Sequence, residues 1–391
     1  MGISWLKERW TRCRQSRFPS FWRIRRALTR KSAEQPGGLA VLSSRDQALV
    51  DAIREQTRQH NRNNVTRTMA YLQFYLRHPE IHWALLGHMV SRNGGWNMTD
   101  IKGELLSRLL SRKEQEDFFA FLERGNWLIF HDVYPQMLVY EESVKRQANL
   151  FYLLPHLHVS RFMQVLWEEF WRFGDCEQLA IGLVINEQSY LEKHVIQQPH
   201  YQQTVLHTLE FKLQELLGLN QILFPCLAEG RGGDGGKPVL IGQTLRHFAS
   251  LPERIALGKR LYVLLFRDPD VLRAVTGWAV RQPHTGSRKD YWPHLFHDVN
   301  ESVPGAPYKR KLANCRLLPG AARLYSPRLV HVWGDVTHAE PEPEDWCTDA
   351  RCILFLLNEN EEAGGDVEDA YCQTLEKIER AIVAKEAIFP A

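Results

Sequence analysis

The sequence lacks several features that would assign it to a protein class at once. No apolar run approaches the roughly 20 residues that a membrane-spanning helix requires. The seven cysteines, an odd number, include no CxxC pair, which indicates neither a disulfide framework nor a zinc ribbon. The basic N-terminus has no apolar segment typical of a secretory signal peptide. These absences predict a cytoplasmic protein with reduced thiols.

The composition and the periodicity of apolar residues favour a folded, helical protein. Its 391 residues are 44% hydrophobic and 24% charged, which is ordinary for a globular chain. Ser111 and Glu114 have the spacing of a helix capping box, and Asn93-Gly94-Gly95 is typical of a helix end. The chain closes on a predicted helix whose apolar face consists of Tyr371, Leu375, Ile378 and Ile382. Strand signals are short and no fixed-period repeat is present. We predict an all-α fold: one large irregular multi-helix domain, not a repeat solenoid.

The charge of the chain is distributed unevenly. Residues 1–31 contain ten Lys or Arg residues and one acidic residue, a net charge of +9, whereas the whole chain carries +3. The remaining residues therefore carry −6, so a basic segment precedes a mildly acidic body. Pro19 divides this segment into two predicted helices, and the second places Phe21, Ile24 and Leu28 on one face.

Three interpretations of the basic segment remain open. Cations with interfacial tryptophans favour the anionic inner face of a membrane, or an acidic partner. The same residues suit the phosphates and bases of nucleic acid, although the acidic body argues against that partner. The third interpretation is a disordered tail, or a segment that docks on the acidic body.

The domain organisation follows from two breaks rich in glycine. Residues 32–46 are predicted to link the basic segment to a helical domain at 47–391, which contains a Gly-rich loop at 228–238. That loop differs from a phosphate-binding loop because Arg231 replaces the first glycine and Pro238 replaces the hydroxyl residue. We expect no cofactor and no metal, because the histidines and cysteines match no zinc spacing.

The first candidate site is the stretch "HMVSRNGGWNMTDIKG", residues 88–103, at the end of an apolar helix. A buried arginine there requires a carboxylate or a bound anion, because desolvation of an unpaired charge is costly. We therefore predict a general base and several ligand-binding side chains in this stretch. The base is His88, and the ligand-binding residues are Arg92, Asn93, Asn97 and Asp100.

The second candidate site is "QPHTGSRKDYWPHLFHD", residues 282–298. A glycine between hydroxyl residues and an arginine suits a turn that offers backbone N–H groups and a guanidinium to an anion. His284 with Asp290 has the composition of an oriented general base, and Ser287 that of a nucleophile. Thr285 and Arg288 complete the predicted ligand-binding residues.

Each cluster also has a purely structural interpretation. Arg92 or Arg288 can tie a loop to a buried aspartate such as Asp100 or Asp290, and His88 can be a core histidine. Convergence of both clusters on one accessible cavity would favour a functional site.

Three motifs resemble the YppC-like family of Gram-positive bacteria, a domain of unknown function (number twenty-five fifteen). They are "FYLRHPEIHWALLGHMVSRNGGWNMTDIKG", "RIALGKRLYVLLF" and "PHTGSRKDYWPHLF". The resemblance extends from about residue 48 to about residue 349. It implies a bacterial protein that is not secreted, and it brings no known activity, cofactor or catalytic residue.

Two functional hypotheses result. In the first, the protein is a cytoplasmic, peripheral membrane-associated module that binds a small anionic ligand or an acidic partner without chemistry. In the second, it is a hydrolase or transferase acting on a phosphate- or carboxylate-bearing substrate. His88 or His284 is then the base, and Arg92 and Arg288 hold the anion.

Overall fold

The computed structural model describes residues 17–33, 40–206, 221–227, 238–245, 247–301, 306–348, 350–357, 365 and 367–388. Ten helices of at least 13 residues account for most of this part of the chain. They are α1 (Arg17–Ala33), α2 (Ser44–His60), α3 (Asn64–Arg77), α4 (His82–Asp100), α5 (Arg112–Arg146), α6 (Arg161–Phe173), α7 (Cys176–Leu191), α8 (Leu251–Phe266), α9 (Pro269–Arg281) and α10 (Glu368–Ile388).

Shorter helical segments and three small strand pairs connect these helices. The segments are Leu106–Leu109, Phe151–Leu157, Glu192–Ile196, Pro199–Tyr201, Gln202–Leu206, Arg288–Asp290, Leu329–Val332 and Ala350–Leu356. Strands β1 (Gln221–Cys226) and β2 (Val239–Thr244) are antiparallel, as are β4 (Leu312–Ala313) and β5 (Arg316–Leu317). Strand β3 (Phe296–His297) pairs in parallel with β6 (Leu324–Tyr325). The predicted helical, non-solenoid fold is confirmed.

Local sequence signals explain several helix ends. The Ser111 hydroxyl accepts a hydrogen bond from the Glu114 amide while the Glu114 carboxylate accepts one from the Ser111 amide, as the predicted capping box requires. Helix α5 then continues for 35 residues through Pro135. The predicted apolar face of α10 is buried, and it consists of Tyr371, Leu375, Ile378 and Ile382.

The prediction that Asn93-Gly94-Gly95 ends a helix is wrong, because α4 continues through these residues to Asp100. The Asn93 amide donates to the carbonyls of Met89 and Leu223, so it does not cap the helix. Gly95 serves close packing, since a methyl group there would overlap the side chains of Asn64 and His284. Tertiary contacts therefore override the local stop signal.

Helix α4 lies at the centre of the fold and packs against α3, α5, α7, α8 and β1. Helix α1 packs against α6 and Ala350–Leu356, and Phe21, Ile24 and Leu28 are buried at this contact. Pro19 lies in the first turn of α1, where a missing backbone N–H is tolerated. Residues 1–16 and the loop at 228–237 lie outside the described residues. No helix in the described ranges is long and apolar enough to cross a membrane.

One cysteine pair departs from the expectation of reduced thiols. Cys315, next to the β4–β5 turn, and Cys372 of α10 form a disulfide across 57 residues of sequence. Because the two cysteines lie far apart in the sequence, no short cysteine spacing predicts their pairing.

Candidate functional site

The two polar stretches predicted from the sequence meet each other between α4 and residues 282–290. The Arg288 guanidinium donates to Asp100 Oδ2 at 2.7 Å from Nη2 and at 3.0 Å from Nε. It also donates to Asn97 Oδ1 at 3.0 Å and to the Tyr291 hydroxyl at 2.9 Å. An arginine of the second stretch is thus neutralised by an aspartate of the first.

Arg92 is fully buried and is directed at the same segment. Its guanidinium donates to the carbonyls of Gln282 at 2.8 Å and Pro283 at 3.2 Å. It lies 4.2 Å from the centre of the Trp278 ring and 3.8 Å from Asp290 Oδ2. Burial lowers the pKa of Arg92 to about 10, so it remains charged at neutral pH.

Asp290 organises the turn that follows. Its carboxylate accepts hydrogen bonds from the Thr285 amide at 2.9 Å and the Thr285 hydroxyl at 2.6 Å. Burial alone would raise the pKa of Asp290, but the charge of Arg92 and the hydrogen bond from the Thr285 hydroxyl lower it. Gly286 occupies the left-handed region at φ +81°, and its carbonyl accepts a hydrogen bond from the Thr99 hydroxyl. The turn is therefore held by Asp290 at Thr285 and by Thr99 at Gly286.

The two histidines have different partners. His284 Nε2 lies 2.7 Å from Asn64 Oδ1, and because the Asn64 amide nitrogen donates to the Ser91 carbonyl, Nε2 must carry the proton. His88 Nδ1 lies 2.8 Å from the Thr68 carbonyl and donates to it. Burial first, and then the charge of Arg92, lower the pKa of both histidines, so both are neutral at neutral pH.

The predicted nucleophile has separate partners. The Ser287 hydroxyl donates to the Ser326 carbonyl at 2.5 Å and accepts a hydrogen bond from the Lys289 amide. Neither His88 nor His284 hydrogen-bonds to Ser287 in the described part of the chain. These contacts hold the serine in place. In a nucleophile and base pair, the serine hydroxyl would instead donate its hydrogen bond to a histidine nitrogen.

The ten predicted residues form a polar network inside the protein, which we call the α4 network. Eight of them are buried: His88, Arg92, Asn93, Asn97, His284, Ser287, Arg288 and Asp290. The Asn93 side chain also links α4 to β1. Its amide nitrogen donates to the Leu223 carbonyl at 2.8 Å, and its amide oxygen accepts a hydrogen bond from the Leu223 N–H at 2.8 Å. The network joins α4 to the segment around residue 286 and to β1.

Sequence reasoning missed two members of this network. Asn64 at the start of α3 bridges His284 and Ser91, and Trp278 of α9 covers Arg92. Asn64 lies well before the first stretch in sequence, whereas Trp278 lies just before the second, and neither residue type signals such a contact. Within the described residues, no group of three or more His, Cys, Asp or Glu side chains is arranged to hold a metal.

A second candidate surface is the outer face of α1. Its exposed residues recur at helical spacing opposite the buried face, and they are Trp22, Arg25, Arg26, Thr29 and Arg30. Arg23 forms an ion pair with Glu169 at 2.9 Å, but Arg25, Arg26 and Arg30 form no ion pair within the described residues. Trp22 is 57% exposed, and the Arg25 guanidinium lies 5.2 Å from its ring centre.

Comparisons with known proteins place the chain among relatives without an assigned function. A family model described as "Protein of unknown function (DUF2515)" matches residues 59–366. "Uncharacterized protein YppC" of Bacillus subtilis (strain 168) is 40% identical over 242 residues, which are 62% of this chain and 72% of that protein. No solved structure matches the chain. Both polar stretches lie inside the matched region, whereas α1 precedes it.

Proposed function

This chain belongs to the DUF2515 family of proteins of unknown function, and from that premise we propose that it is a peripheral module that binds anionic membrane surfaces through α1. The observation that carries the proposal is the outer face of α1. There, one exposed tryptophan accompanies three arginines that have no carboxylate partner among the described residues.

The chemistry of this face suits a lipid headgroup layer. Arg25, Arg26 and Arg30 extend over about one and a half helical turns, so several guanidiniums can contact phosphates of one surface at the same time. An exposed tryptophan such as Trp22 is favoured at the boundary between headgroups and acyl chains. The body outside residues 1–31 carries −6, which disfavours wrapping around an extended polyanion such as nucleic acid.

The buried face of α1 determines how the proposal must be tested. Deletion of residues 1–31 would remove Phe21, Ile24 and Leu28 from the core and would destabilise the body as well as remove charge. We therefore choose substitutions on the outer face only. The test variant is Arg25→Gln/Arg26→Gln/Arg30→Gln, assayed by sedimentation with phosphatidylglycerol vesicles and with neutral phosphatidylcholine vesicles.

We expect the wild-type protein to sediment with the anionic vesicles and the triple variant to bind them about 100-fold more weakly, since each cation near such a surface contributes about 1 kcal/mol. The matched control is Arg112→Gln/Lys113→Gln/Arg273→Gln, which removes the same charge from well-exposed positions elsewhere. Equal binding by the two triple variants would contradict the proposal. Binding of DNA in preference to anionic vesicles would favour the nucleic-acid interpretation instead.

A further inference from the structure

A cavity of about 220 Å³ lies beside α4, on the side of the helix opposite Arg92. Seven residues of the helix line it, and they are Trp83, Leu86, Gly87, Val90, Ser91, Gly94 and Asn97. Their spacing of three and four residues places them on one stripe of α4. At a rise of 1.5 Å per residue, that stripe is about 21 Å long, so the cavity borders an elongated wall.

The other walls of the cavity are mainly apolar. They come from α5, α7, α8 and β1, and they include the partly buried side chains of Ile129, Leu191 and Ile222. Four glycines on α4, α5 and α8 also line the cavity, and they are Gly87, Gly94, Gly125 and Gly258. An apolar space of this kind accepts an apolar ligand more readily than water.

One part of the wall is polar and internally hydrogen-bonded. Arg254 Nε donates to Gln188 Oε1 at 3.1 Å, and the Gln188 amide donates to Glu187 Oε1 at 3.2 Å. Glu187 Oε2 also accepts a hydrogen bond from the Trp83 indole at 3.1 Å. Burial raises the pKa of Glu187 to about 8, so at neutral pH its carboxyl carries a proton that it can donate.

We propose that this cavity binds an elongated aliphatic molecule with an oxygen-bearing polar head, of the fatty-acid or fatty-alcohol class. Its chain lies along the stripe of α4, and its head meets Glu187, Gln188 and Arg254. Since a cavity of about 150 Å³ holds the six carbons of benzene, the present volume holds roughly nine carbons, and because the cavity is partly open a longer chain can extend out of it.

The charges in the wall distinguish this class from phosphate-bearing metabolites. Arg254 is the one cation among the described lining residues, and Glu192 already forms an ion pair with it. A nucleotide or sugar phosphate would place two negative charges next to Glu187, where no free cation among the described lining residues would compensate the cost of removing them from water. A chain with a small uncharged or singly charged head avoids that penalty.

The test uses the full-length protein and a variant that fills the cavity. A Cβ atom at Gly125 would meet only Leu191 Cδ2, at 3.7 Å, so a leucine at this position has room at its base and projects into the cavity. The matched control is Gly277→Leu in α9, where a Cβ meets only the flexible end of Arg281 and does not line the cavity. Isothermal titration uses dodecanoic acid, dodecanol and, as a short-chain comparison, butanoic acid.

We expect dodecanoic acid, dodecanol or both to bind the wild-type protein and Gly277→Leu equally, and butanoic acid to bind neither. Gly125→Leu should weaken binding by at least about tenfold, because it occupies the volume of several methylene groups. Tighter binding of the acid identifies a carboxylate head, and tighter binding of the alcohol identifies an uncharged head; either outcome supports the proposal.

Two results would overturn the proposal. One is no binding of either long-chain compound to the wild-type protein. The other is equal binding to Gly125→Leu and Gly277→Leu. Circular dichroism establishes that each variant is folded, and Ile129→Trp, which fills the same cavity from a neighbouring position of α5, replaces Gly125→Leu if that variant is unfolded.

Discussion

The two faces of α4 differ in what surrounds them. On one face, Arg92, Asn93 and Thr99 direct their polar groups at protein donors and acceptors, and the space is filled. On the other face, Trp83, Val90 and Gly94 border a cavity of about 220 Å³.

The comparison shows that conspicuous polar residues need not mark the accessible site. Arg288 and Asp100 attract attention in the sequence, yet their hydrogen-bonding groups face each other inside the protein. The apolar residues of the opposite face look like ordinary core residues in the sequence. The proposed catalytic roles of His88, His284, Ser287 and Asp290 stay predictions, and the described contacts give these residues structural partners.

Arg288→Met should have the largest effect on stability, and it tests whether the buried ion pair with Asp100 holds the α4 network together. Loss of the guanidinium leaves the Asp100 carboxylate without its charge partner, and removal of one member of a buried pair destabilises a protein by about 3–5 kcal/mol. Urea unfolding measures the change in the free energy of unfolding. The variants Asp100→Asn and Arg288→Met/Asp100→Asn complete a double-mutant cycle, and additive effects would show that the pair is not coupled.

Gly95→Ala tests how tightly the same face is packed. The added methyl group overlaps Asn64 Oδ1 and the His284 ring, so we expect a loss of about 2–3 kcal/mol. Gly277→Ala in α9 is the matched control, because its Cβ meets only the Arg281 guanidinium and helix propensity should stabilise it by up to about 1 kcal/mol. Thermal unfolding should therefore shift in opposite directions for the two variants.

Glu187→Gln tests the cavity face through the pH dependence of stability. Because burial raises the pKa of Glu187 from 4.5 to about 8, the folded state retains a proton that the unfolded state has lost between these values. Stability should therefore fall as the pH rises through this window, by about 2 kcal/mol, since partial access to the cavity reduces the full linkage value.

The Glu187→Gln variant should lose that part of the pH dependence while keeping a side chain of the same shape. Asp132, whose pKa burial raises to about 7, should retain its own contribution below pH 7. Urea titrations at several pH values separate the two residues. An unchanged pH profile in Glu187→Gln would show that this carboxyl is ionised in the folded protein.

His88→Asn should produce the smallest effect, on the acid side. The pKa of His88 is lowered from 6.5 by burial, so only the unfolded state gains a proton just below that value, and stability falls as the pH falls. Between pH 6.5 and 5.5 this contribution is about 1 kcal/mol. The asparagine amide can still donate to the Thr68 carbonyl. The free energy of unfolding, measured by urea titration at pH 6.5 and pH 5.5, should therefore change less between the two pH values in His88→Asn than in the wild-type protein.

The sequence was informative where structure depends on neighbouring residues. The capping box of Ser111 and Glu114 and the apolar face of α10 are local patterns, and both are confirmed. The Asn93-Gly94-Gly95 signal failed because Gly95 packs against residues 64 and 284, far away in sequence.

The candidate sites show the same limit of local patterns. Both polar stretches were identified, and the pairing of Arg288 with Asp100 was one of the two interpretations that the sequence left open. The choice between that pairing and an external anion depends on tertiary proximity. The cavity was not predicted at all, because Val90, Ile129 and Leu191 have the same residue types as a filled core. The space between such residues has no signature in composition or periodicity.

The two faces of α4 thus have different roles in this account: the face that carries Arg92 stabilises the fold, and the face that carries Val90 lines the ligand site. Methyl NMR during titration with dodecanol tests this central claim directly. We predict that the signals of Val90, Ile129 and Leu191 shift, whereas that of Thr99 in the α4 network does not. Shifts confined to Thr99, with the three cavity methyl groups unchanged, would contradict the claim.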